Sequence, residues 1–259
     1  MKKTDFISAE LIDDSDEEIV KPILSKKKRV IKPKVVLQKC YNQDVDVFEI
    51  GVDEVGRGPL FGRVYTAAVI LPKDDTFDCS IVKDSKKFTS KKKIIEASEY
   101  IKSHALAWYI SFEDEKTIDQ INILQATQLS MHHSILETIK QTNKLKNSQC
   151  NYSLLIDGNY FKPFTYLNKN SNKIDTIPHV TIEGGDNKYA SIAAASILAK
   201  VERDNYIEEL CKENPTLIEH YGIDSNKGYG AKRHMDGIKE HGITIWHRRS
   251  FGICKNYHS

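Results

Sequence analysis

The stretch Val47–Pro59, which reads VFEIGVDEVGRGP, decides the fold class that we expect for this chain of 259 residues. Its first half is mostly apolar, which predicts a strand, and this strand reaches the acidic pair Asp53 and Glu54. Neighbouring side chains of a regular strand point to opposite faces, so the two acids share one site only if the backbone turns there. The glycines that follow permit such a turn.

Strands alternate with helices along the rest of the chain. The other predicted elements are strands at 64–71, 105–112 and 153–157, an edge that begins near 181–183, and helices near 90–103, 123–145 and 189–212. The last of these helices is rich in alanine and contains neither glycine nor proline. The alternation indicates an α/β sandwich.

Acidic residues stand where predicted strands end, at Asp53, Glu54 and Asp157, and Asp186 lies between two glycines and a helix. Open α/β sheets place their sites at such strand ends. A lone Asp there is usually a turn or cap residue, but clustered carboxylates would raise one another's pKa unless divalent cations neutralised them. An all-oxygen site without matching His or Cys suits Mg²⁺ or Mn²⁺ better than zinc. Phosphodiester hydrolysis is the chemistry that such a site supports best.

The composition predicts one well-buried domain with an appendage, since 40% of the residues are hydrophobic and 29% are charged. No run approaches the roughly 20 apolar residues that cross a bilayer, and no apolar signal core follows Met1, so we expect an intracellular, cytoplasmic protein without membrane contact. The five scattered cysteines are expected to be reduced thiols. A net charge of +2 does not by itself indicate a nucleic-acid binder, so any basic groove must come from local clustering.

Residues 1–45 differ from the rest of the chain. An acidic block at 13–18 precedes the basic block Lys26–Arg29, and few apolar residues interrupt them. Charge blocks without periodicity bury too little surface to offset chain entropy, so we expect a disordered charged extension at 1–45 and one folded domain at 46–259. The basic block fits a nuclear import signal, a weak nucleic-acid arm or a solvated tail, and the sequence does not rank them.

A series of motifs resembles those of the ribonuclease HII family, in that family's order. The longest is Gly51–Leu60, which is similar to the family's opening motif, Asp-Glu-Ala or Val-Gly-Arg-Gly. The further matches are Asp84–Lys87, Ile121–Thr127, Ile156–Gly158, Gly185–Lys188, Ser191–Asp204, Gly228–Gly230 and His247–Phe251. The resemblance covers about residues 48–252 and leaves the charged extension outside.

The resemblance implies a ribonuclease H-like α/β fold, in which helices flank a mixed sheet and the C-terminal part is helical. It implies an endonuclease that hydrolyses the RNA strand of RNA–DNA hybrids and cuts 5′ of single ribonucleotides in duplex DNA, with roles in ribonucleotide excision repair and DNA replication. Two ions, Mg²⁺ or Mn²⁺, would support hydrolysis to 5′-phosphate and 3′-hydroxyl ends. In these motifs, the positions of the family's metal ligands correspond to Asp53, Glu54, Asp157 and Asp186.

Substrate recognition is implied by two of the same motifs. In the family a Gly-Arg-Gly turn brings backbone groups close to the 2′-hydroxyl that distinguishes RNA from DNA, and here that turn is Gly56, Arg57 and Gly58. Tyr229 matches the family's tyrosine that stacks on the deoxyribose after the ribonucleotide. Without the resemblance, a tight turn with a solvated Arg57 and a packing role for Tyr229 would be the ordinary interpretation.

Basic residues within the motifs are candidate phosphate contacts. We expect Lys86 and Lys188 to contact phosphates, and Ser191 to donate its hydroxyl to a phosphate at a helix start. Further candidates are Lys87, Arg248 and Arg249. Asp204 lies nearly five helical turns beyond Asp186, so we expect a structural role for it, as the ion-pair partner of Arg203 or Lys200.

Other functions fit parts of this pattern. A hybrid-binding protein that has lost catalysis would lack an acid, and all four are present. A type 1 ribonuclease H, an integrase or a resolvase would share the fold superfamily but not the Gly-Arg-Gly turn beside Asp53. A type 3 ribonuclease H is a closer rival, which the Tyr229 motif disfavours. We expect a monomer that binds RNA–DNA hybrids and ribonucleotide-containing duplex DNA, and the sequence names no protein partner.

Overall fold

The structure, a computed structural model, describes residues 36–82, 88, 90–148, 150–168 and 172–257. Its strands are β1 (Val47–Val55), β2 (Val64–Ile70), β3 (Ala107–Glu113), β4 (Asn151–Asp157), β5 (Thr165–Asn168), β6 (Lys173–Thr176) and β7 (His179–Ile182). Its helices are α1 (Lys91–His104), α2 (Glu115–Lys146), α3 (Ala190–Glu213), α4 (Thr216–Tyr221), α5 (Ile223–Asn226) and α6 (Lys232–His241). Lys86, Lys87 and the basic block Lys26–Arg29 lie outside the described residues, so their roles stay predictions.

Within the described chain a five-stranded sheet has the order β3-β2-β1-β4-β7. β1 pairs with β2 in antiparallel and with β4 in parallel orientation, β2 with β3 in antiparallel and β4 with β7 in parallel orientation. The predicted mixed sheet is therefore confirmed. The register aligns Val52 with Ile156, so the acids that follow them, Asp53 and Asp157, lie at the same end of neighbouring strands.

Helices cover both faces of this sheet. On one face Met131 and Ile135 of α2 share a buried core with Ile50 and Val52 of β1. On the other face the alanines of α3 pack against β2. Gly51 allows α3 to approach β1 closely, because a Cβ atom there would lie only 2.3 Å from the backbone carbon of Ser191. The backbone of α3 is therefore pressed onto the strand that carries Asp53 and Glu54.

Most predicted elements agree with the structure to within a few residues, but α2 differs. It begins at Glu115, ahead of the expected start near 123, and Asn122 interrupts it with φ 67° and ψ 163°. The side-chain oxygen of Asn122 accepts a hydrogen bond from the backbone N–H of Gln125 at 3.1 Å, which caps the second part of the helix. Two consecutive helices thus meet at Asn122, and the second begins where the sequence predicted.

The C-terminal part is helical, as predicted, and packs as a separate cluster beside the sheet. Leu217, Tyr221 and Ile238 from α4 and α6 meet Phe61, which follows the Gly-Arg-Gly turn of β1. A hydrogen bond from Leu60 N to Gly228 O at 2.8 Å fastens this part to the same turn. The cluster thereby carries Tyr229 to the end of the sheet where the acids lie.

Residues 36–45, which the sequence places in the extension, contact the folded domain. Gln38 pairs with the backbone on both sides of Tyr189, donating to Lys188 O at 2.7 Å and accepting from Ala190 N at 2.9 Å. The backbone N–H groups of Tyr41 and Asn42 donate to the carboxylate of Glu49 at 2.9 to 3.1 Å. No helix among the described residues has both the length and the apolar character needed to span a membrane.

Candidate active site

A cavity of about 350 Å³ opens at the end of β1 and β4. It is lined by Asp53, Glu54, Val55, Gly56, Arg57, Gly58, Asp157, Asp186, Ser196, Lys200 and Tyr229. The four acids and the Gly-Arg-Gly turn that the sequence singled out therefore surround one space. Tyr229 reaches the same space from the C-terminal part of the chain.

Asp53 and Glu54 reach the cavity without the change of direction that we expected between them. β1 remains paired with β2 through Val55, and the turn begins only at Gly56, where φ is +95°. The Asp53 carboxylate accepts a hydrogen bond from the backbone N–H of Glu54 at 2.7 Å. Because the cavity lies at the end of the sheet, side chains from both faces of the strand border it.

Burial and mutual repulsion keep these two carboxyl groups from ionising easily. Only 4% of Asp53 is exposed, and burial, followed by the charges of Glu54 and Asp157, raises its pKa well above the ordinary value. The hydroxyl of Ser196 opposes this shift by hydrogen bonding to Asp53. Burial also raises the pKa of Glu54, while its ion pair with Arg57 at 3.1 Å opposes the shift.

A short 3-10 turn, Gly185–Asn187, contains Asp186 and contacts Asp157. The backbone N–H of Gly185 donates to Asp157 Oδ1 at 2.7 Å, and Asn187 donates to Asp186 Oδ1 at 2.9 Å. A side chain at position 185 would be crowded, because a Cβ atom there would lie 2.5 Å from Ile192 Cδ1 and 3.3 Å from the Asp157 carboxylate. Gly184 and Gly185, the glycine pair before Asp186 in the sequence, thus let the turn that contains Asp186 pack against Asp157.

The donor set fits a hard divalent cation. All four acids offer oxygen atoms, they border one cavity, and only 4% of Asp53 and of Asp186 is exposed. Among the described residues, no three Asp, Glu, His or Cys side chains are already drawn together around one point. Uncompensated carboxylates repel one another, which opposes closer approach until a cation lies between them.

The Gly-Arg-Gly turn and Tyr229 border the cavity together. A Cβ atom at Gly58 would lie 3.5 Å from the ring of Tyr229, and 48% of that residue is exposed. Arg57, whose side chain is 47% exposed, is held by Glu54 rather than free in solvent. An exposed aromatic ring beside a glycine turn offers a flat surface to a sugar or base.

None of the predicted phosphate contacts among the described residues, which are Lys188, Ser191, Arg248 and Arg249, lines this cavity. Lys188 is exposed just beyond Asp186, and its Nζ donates to Glu183 O at 2.8 Å. Ser191 is 2% exposed, lies against Gly51, and its hydroxyl has no hydrogen-bond partner among the described residues. The structure therefore does not bring Ser191 to the cavity. The expectation for Arg248 is wrong, because this side chain is fully buried and binds backbone carbonyls.

Sequence reasoning missed Ser196 and Lys200 as residues of the cavity. Both belong to α3 and stand four positions apart, so they occupy the same face of the helix. That spacing, taken with the position of Asp186 before the helix, was the signal that could have found them. Lys200 Nζ lies 2.7 Å from Asp204, which confirms the structural ion pair expected for that acid.

Comparison with known proteins agrees with this geometry. The family model of ribonuclease HII matches residues 50–254. This chain belongs to the ribonuclease HII family. A ribonuclease HII of Bacteroides thetaiotaomicron is 43% identical over 208 residues, which are 80% of this chain and 91% of that protein. The chain is accordingly a ribonuclease H that acts as an endonuclease on the RNA of RNA–DNA hybrids, as the motifs implied.

Solved structures share the fold of this ribonuclease HII. Ribonuclease H2 from Pyrococcus horikoshii OT3 matches with a TM-score of 0.59 at 21% identity, over 81% of this chain and 96% of that one. Bst-RNase HIII, solved in complex with Mn²⁺, matches with a TM-score of 0.60 at 18% identity, over 82% of this chain and 69% of that one. The ribonuclease H-like architecture predicted from the sequence is confirmed.

Proposed function

We propose that this ribonuclease HII cuts 5′ of single ribonucleotides embedded in duplex DNA, as well as within RNA–DNA hybrids, and leaves 5′-phosphate and 3′-hydroxyl ends. The observation that supports this proposal is the shared cavity of four carboxylates, a Gly-Arg-Gly turn and an exposed tyrosine. The acids are suited to the reaction of any phosphodiester. The turn and the tyrosine would select the position at which it is cut.

Asp53, Glu54, Asp157 and Asp186 are the proposed ligands of Mg²⁺ or Mn²⁺. When bound, two such ions supply an activated water and stabilise the charge on the leaving oxygen. The chain supplies a buried all-oxygen site whose excess negative charge favours cation binding. Ser196 orients Asp53 through its hydroxyl, and Gly185 N–H orients Asp157.

The substrate is proposed to lie across the turn at Gly56, Arg57 and Gly58. Backbone groups of a glycine turn approach a sugar closely, and a 2′-hydroxyl both donates and accepts hydrogen bonds. Tyr229 would stack on the next deoxyribose, and Lys188 would contact a phosphate. Lys86 remains a proposed phosphate contact outside the described residues.

Some finer expectations also remain proposals. We propose that the chain acts as a monomer and takes part in ribonucleotide excision repair and DNA replication. We also propose that residues 1–35 of the charged extension are not needed for hydrolysis. The contacts of Gln38 and Tyr41 favour a boundary nearer residue 35 than residue 45. Cytoplasmic location, and nuclear import through Lys26–Arg29, stay predictions.

The direct test is cleavage of a DNA duplex that contains one ribonucleotide, with Mg²⁺ or Mn²⁺. The wild type should give one cut on the 5′ side of the ribonucleotide. Asp53→Asn and Asp157→Asn should each remove cleavage while duplex binding persists, because the shape is kept and one ligand charge is lost. Asp75→Asn, a matched change at an exposed acid paired with Lys39, should leave cleavage unchanged. Cleavage by either site variant within about tenfold of wild type would contradict the metal-site assignment.

A further inference from the structure

Arg203 and Arg248 are two guanidinium groups buried beside the Gly-Arg-Gly turn. They are 1% and 0% exposed, and no carboxylate among the described residues lies within 4.0 Å of either. Buried charges are normally paired, so their partners need an account. Both belong to motifs that the sequence singled out, and neither borders the cavity. Their hydrogen bonds go instead to backbone carbonyls.

Arg248 gathers the carbonyl groups of the turn around one planar guanidinium. Its hydrogen bonds run from Nη2 to Gly56 O at 2.6 Å, from Nη1 to Arg57 O at 3.0 Å and Pro59 O at 2.9 Å, and from Nε to Gly62 O at 2.8 Å. Four carbonyls of one short segment are therefore held by a single side chain. The segment 56–62 wraps around it.

Arg203 connects this turn with the turn that carries Tyr229. It donates to Arg63 O at 3.3 Å and to Lys227 O at 2.9 Å. A Cβ atom at Gly56 would lie 2.4 Å from Arg203 Nε, so the guanidinium fills the space beneath that glycine. The Arg203 guanidinium also lies 6.0 Å from the centre of the Tyr229 ring.

From these contacts we infer that Arg248 and Arg203 are positioning residues for the recognition of the 2′-hydroxyl, an inference that rests on the proposed function. A peptide bond is planar and trans, so its N–H points opposite to its C=O. With the carbonyls of Gly56 and Arg57 turned toward Arg248, the N–H groups of Arg57 and Gly58 point away from the buried guanidinium. Residues 56–58 border the cavity, so these donors are presented to a substrate there.

Arginine is required for this arrangement. Its guanidinium has five N–H donors in a rigid plane, whereas a lysine ammonium has three donors at one point and cannot hold carbonyls spread around a plane. Lysine keeps the charge and most of the length, so Arg248→Lys removes the geometry of the contact more than its electrostatics. The expected consequence is a turn that still exists but no longer holds its N–H groups in one direction.

The test compares the affinity for two duplexes that differ by one 2′-hydroxyl. Fluorescence anisotropy with Mg²⁺ gives Kd for a duplex with one ribonucleotide and for the all-DNA duplex, in an Asp157→Asn background that prevents cleavage. The parent should prefer the ribonucleotide duplex. Arg248→Lys should lower this preference by about tenfold, with less than about twofold change in Kd for all-DNA, since one or two hydrogen bonds are at stake.

Arg233→Lys is the matched control, because Arg233 also donates to backbone carbonyls, Ile218 O at 2.7 Å and Glu219 O at 3.3 Å, but far from the turn in sequence. It should leave the preference unchanged. A proportional rise of both Kd values in Arg248→Lys would overturn the inference in favour of general support of the fold. If that variant does not fold, Arg203→Lys is measured in the same way, and an unchanged preference overturns the inference. A parent without any preference would contradict the proposed function itself.

Discussion

Tyr229 combines an exposed ring with a tightly held backbone. Its carbonyl accepts a hydrogen bond from His234 Nδ1 at 2.8 Å, while 48% of the residue is exposed beside Gly58. We predict that Tyr229→Ala lowers cutting at a single embedded ribonucleotide by about ten- to a hundredfold and lowers cutting within a long hybrid less. Stacking matters most where one RNA-to-DNA step marks the site, whereas a long hybrid offers many registers.

Rates on the two substrates at one salt and metal concentration decide this prediction. Tyr229→Phe is the matched control, because it keeps the ring and loses only the hydroxyl, and it should retain the preference. An equal loss on both substrates in Tyr229→Ala would mean that the residue supports the cavity generally, and its role at the junction would be withdrawn.

A pair of buried histidines holds the backbone of Tyr229. Thr244 N–H donates to His247 Nδ1 at 2.9 Å, so the proton of a neutral His247 is on Nε2 and points to His234 Nε2 at 3.1 Å. His234 then donates from Nδ1 to the Tyr229 carbonyl. This assignment follows from the hydrogen-bond network and leaves each neutral ring with one donor and one acceptor. Protonation of His234 would place two donors between the histidines, and protonation of His247 would place its new Nδ1 proton against the Thr244 N–H.

We predict that this pair makes the protein less stable in acid. Burial, followed by the charge of His234, lowers the pKa of His247 to about 3 from 6.5. Between these values the unfolded chain binds the proton and the folded chain does not, so stability is present above 6.5 and is lost as the pH falls. The loss reaches about 1.4 kcal/mol for each pH unit below 6.5.

Urea unfolding at about pH 7 and about pH 5.5 measures the effect as a difference from His247→Asn. That variant keeps an acceptor for Thr244 but has no proton to gain. Its penalty in the free energy of unfolding should shrink by about 1 kcal/mol at the lower pH. A penalty that stays the same at both values would show that His247 does not titrate in this window.

The candidate acids could be predicted from the sequence because each stands where a local pattern ends: Asp53 and Asp157 after apolar runs, and Asp186 after two glycines. The buried role of Arg248 could not, because its partners lie 186 to 192 positions away along the chain and are backbone atoms. Every residue has a backbone carbonyl, so the sequence does not show which carbonyls a side chain binds. Ser191 was expected to contact a phosphate because helix starts favour phosphates, but α3 turns Ser191 onto Gly51.

At the scale of elements, the segment from Gln38 to Asn42 joins β1 to the chain that follows Asp186. Gln38 pairs with the backbone beside Tyr189, three residues after Asp186, and the next residues bind Glu49 on β1. Glu49 is 5% exposed, and burial raises its pKa while the hydrogen bonds from Asn42 and Tyr41 oppose that shift. The segment therefore satisfies a buried carboxylate and braces the turn that carries Asp186.

We predict that the position of an N-terminal deletion decides its effect. Removal of residues 1–35 should leave the melting temperature and hydrolysis nearly unchanged. Removal of residues 1–42 should lower the free energy of unfolding by about 2–4 kcal/mol and slow cleavage, because Gln38 pairing is lost and Glu49 is left buried without its donors. Adding Glu49→Gln to the longer deletion should recover part of the stability, since no charge is then buried. Equal behaviour of the two deletions would contradict the bracing role.

The strands and long helices were predictable because alternation and composition persist over many residues. The short elements were not: β5 and β6 have four residues each, and α5 has four. The interruption of α2 depends on the positive φ of one asparagine, which only the packing around it selects. The helical C-terminal part was expected from the family resemblance, but its individual helices were not.

At the scale of the whole molecule, the acids of the carboxylate cavity destabilise the folded state, although the proposed function needs them. The chain as a whole carries a net charge of +2, yet buried acids that repel one another share the cavity. Repulsion among buried charges destabilises the folded state, and a cation that binds only the folded state reverses this effect. The same acids are the proposed source of catalysis, so the fold should gain stability where it loses activity.

We therefore predict that Mg²⁺ or Mn²⁺ raises the melting temperature of the wild type and that excess chelator abolishes cleavage. At about a hundred times Kd the metal should add about 2.7 kcal/mol, which corresponds to a rise of about 5–10 °C in Tm for a chain of this size. In chelator Asp53→Asn should melt above the wild type, because one buried charge is gone, and metal should raise its Tm much less. Asp75→Asn, at the surface, should follow the wild type under both conditions.

Calorimetry with and without metal distinguishes these outcomes. A metal effect equal in wild type and Asp53→Asn would place the stabilising cation elsewhere, and cleavage that persists in chelator would remove the metal from the mechanism.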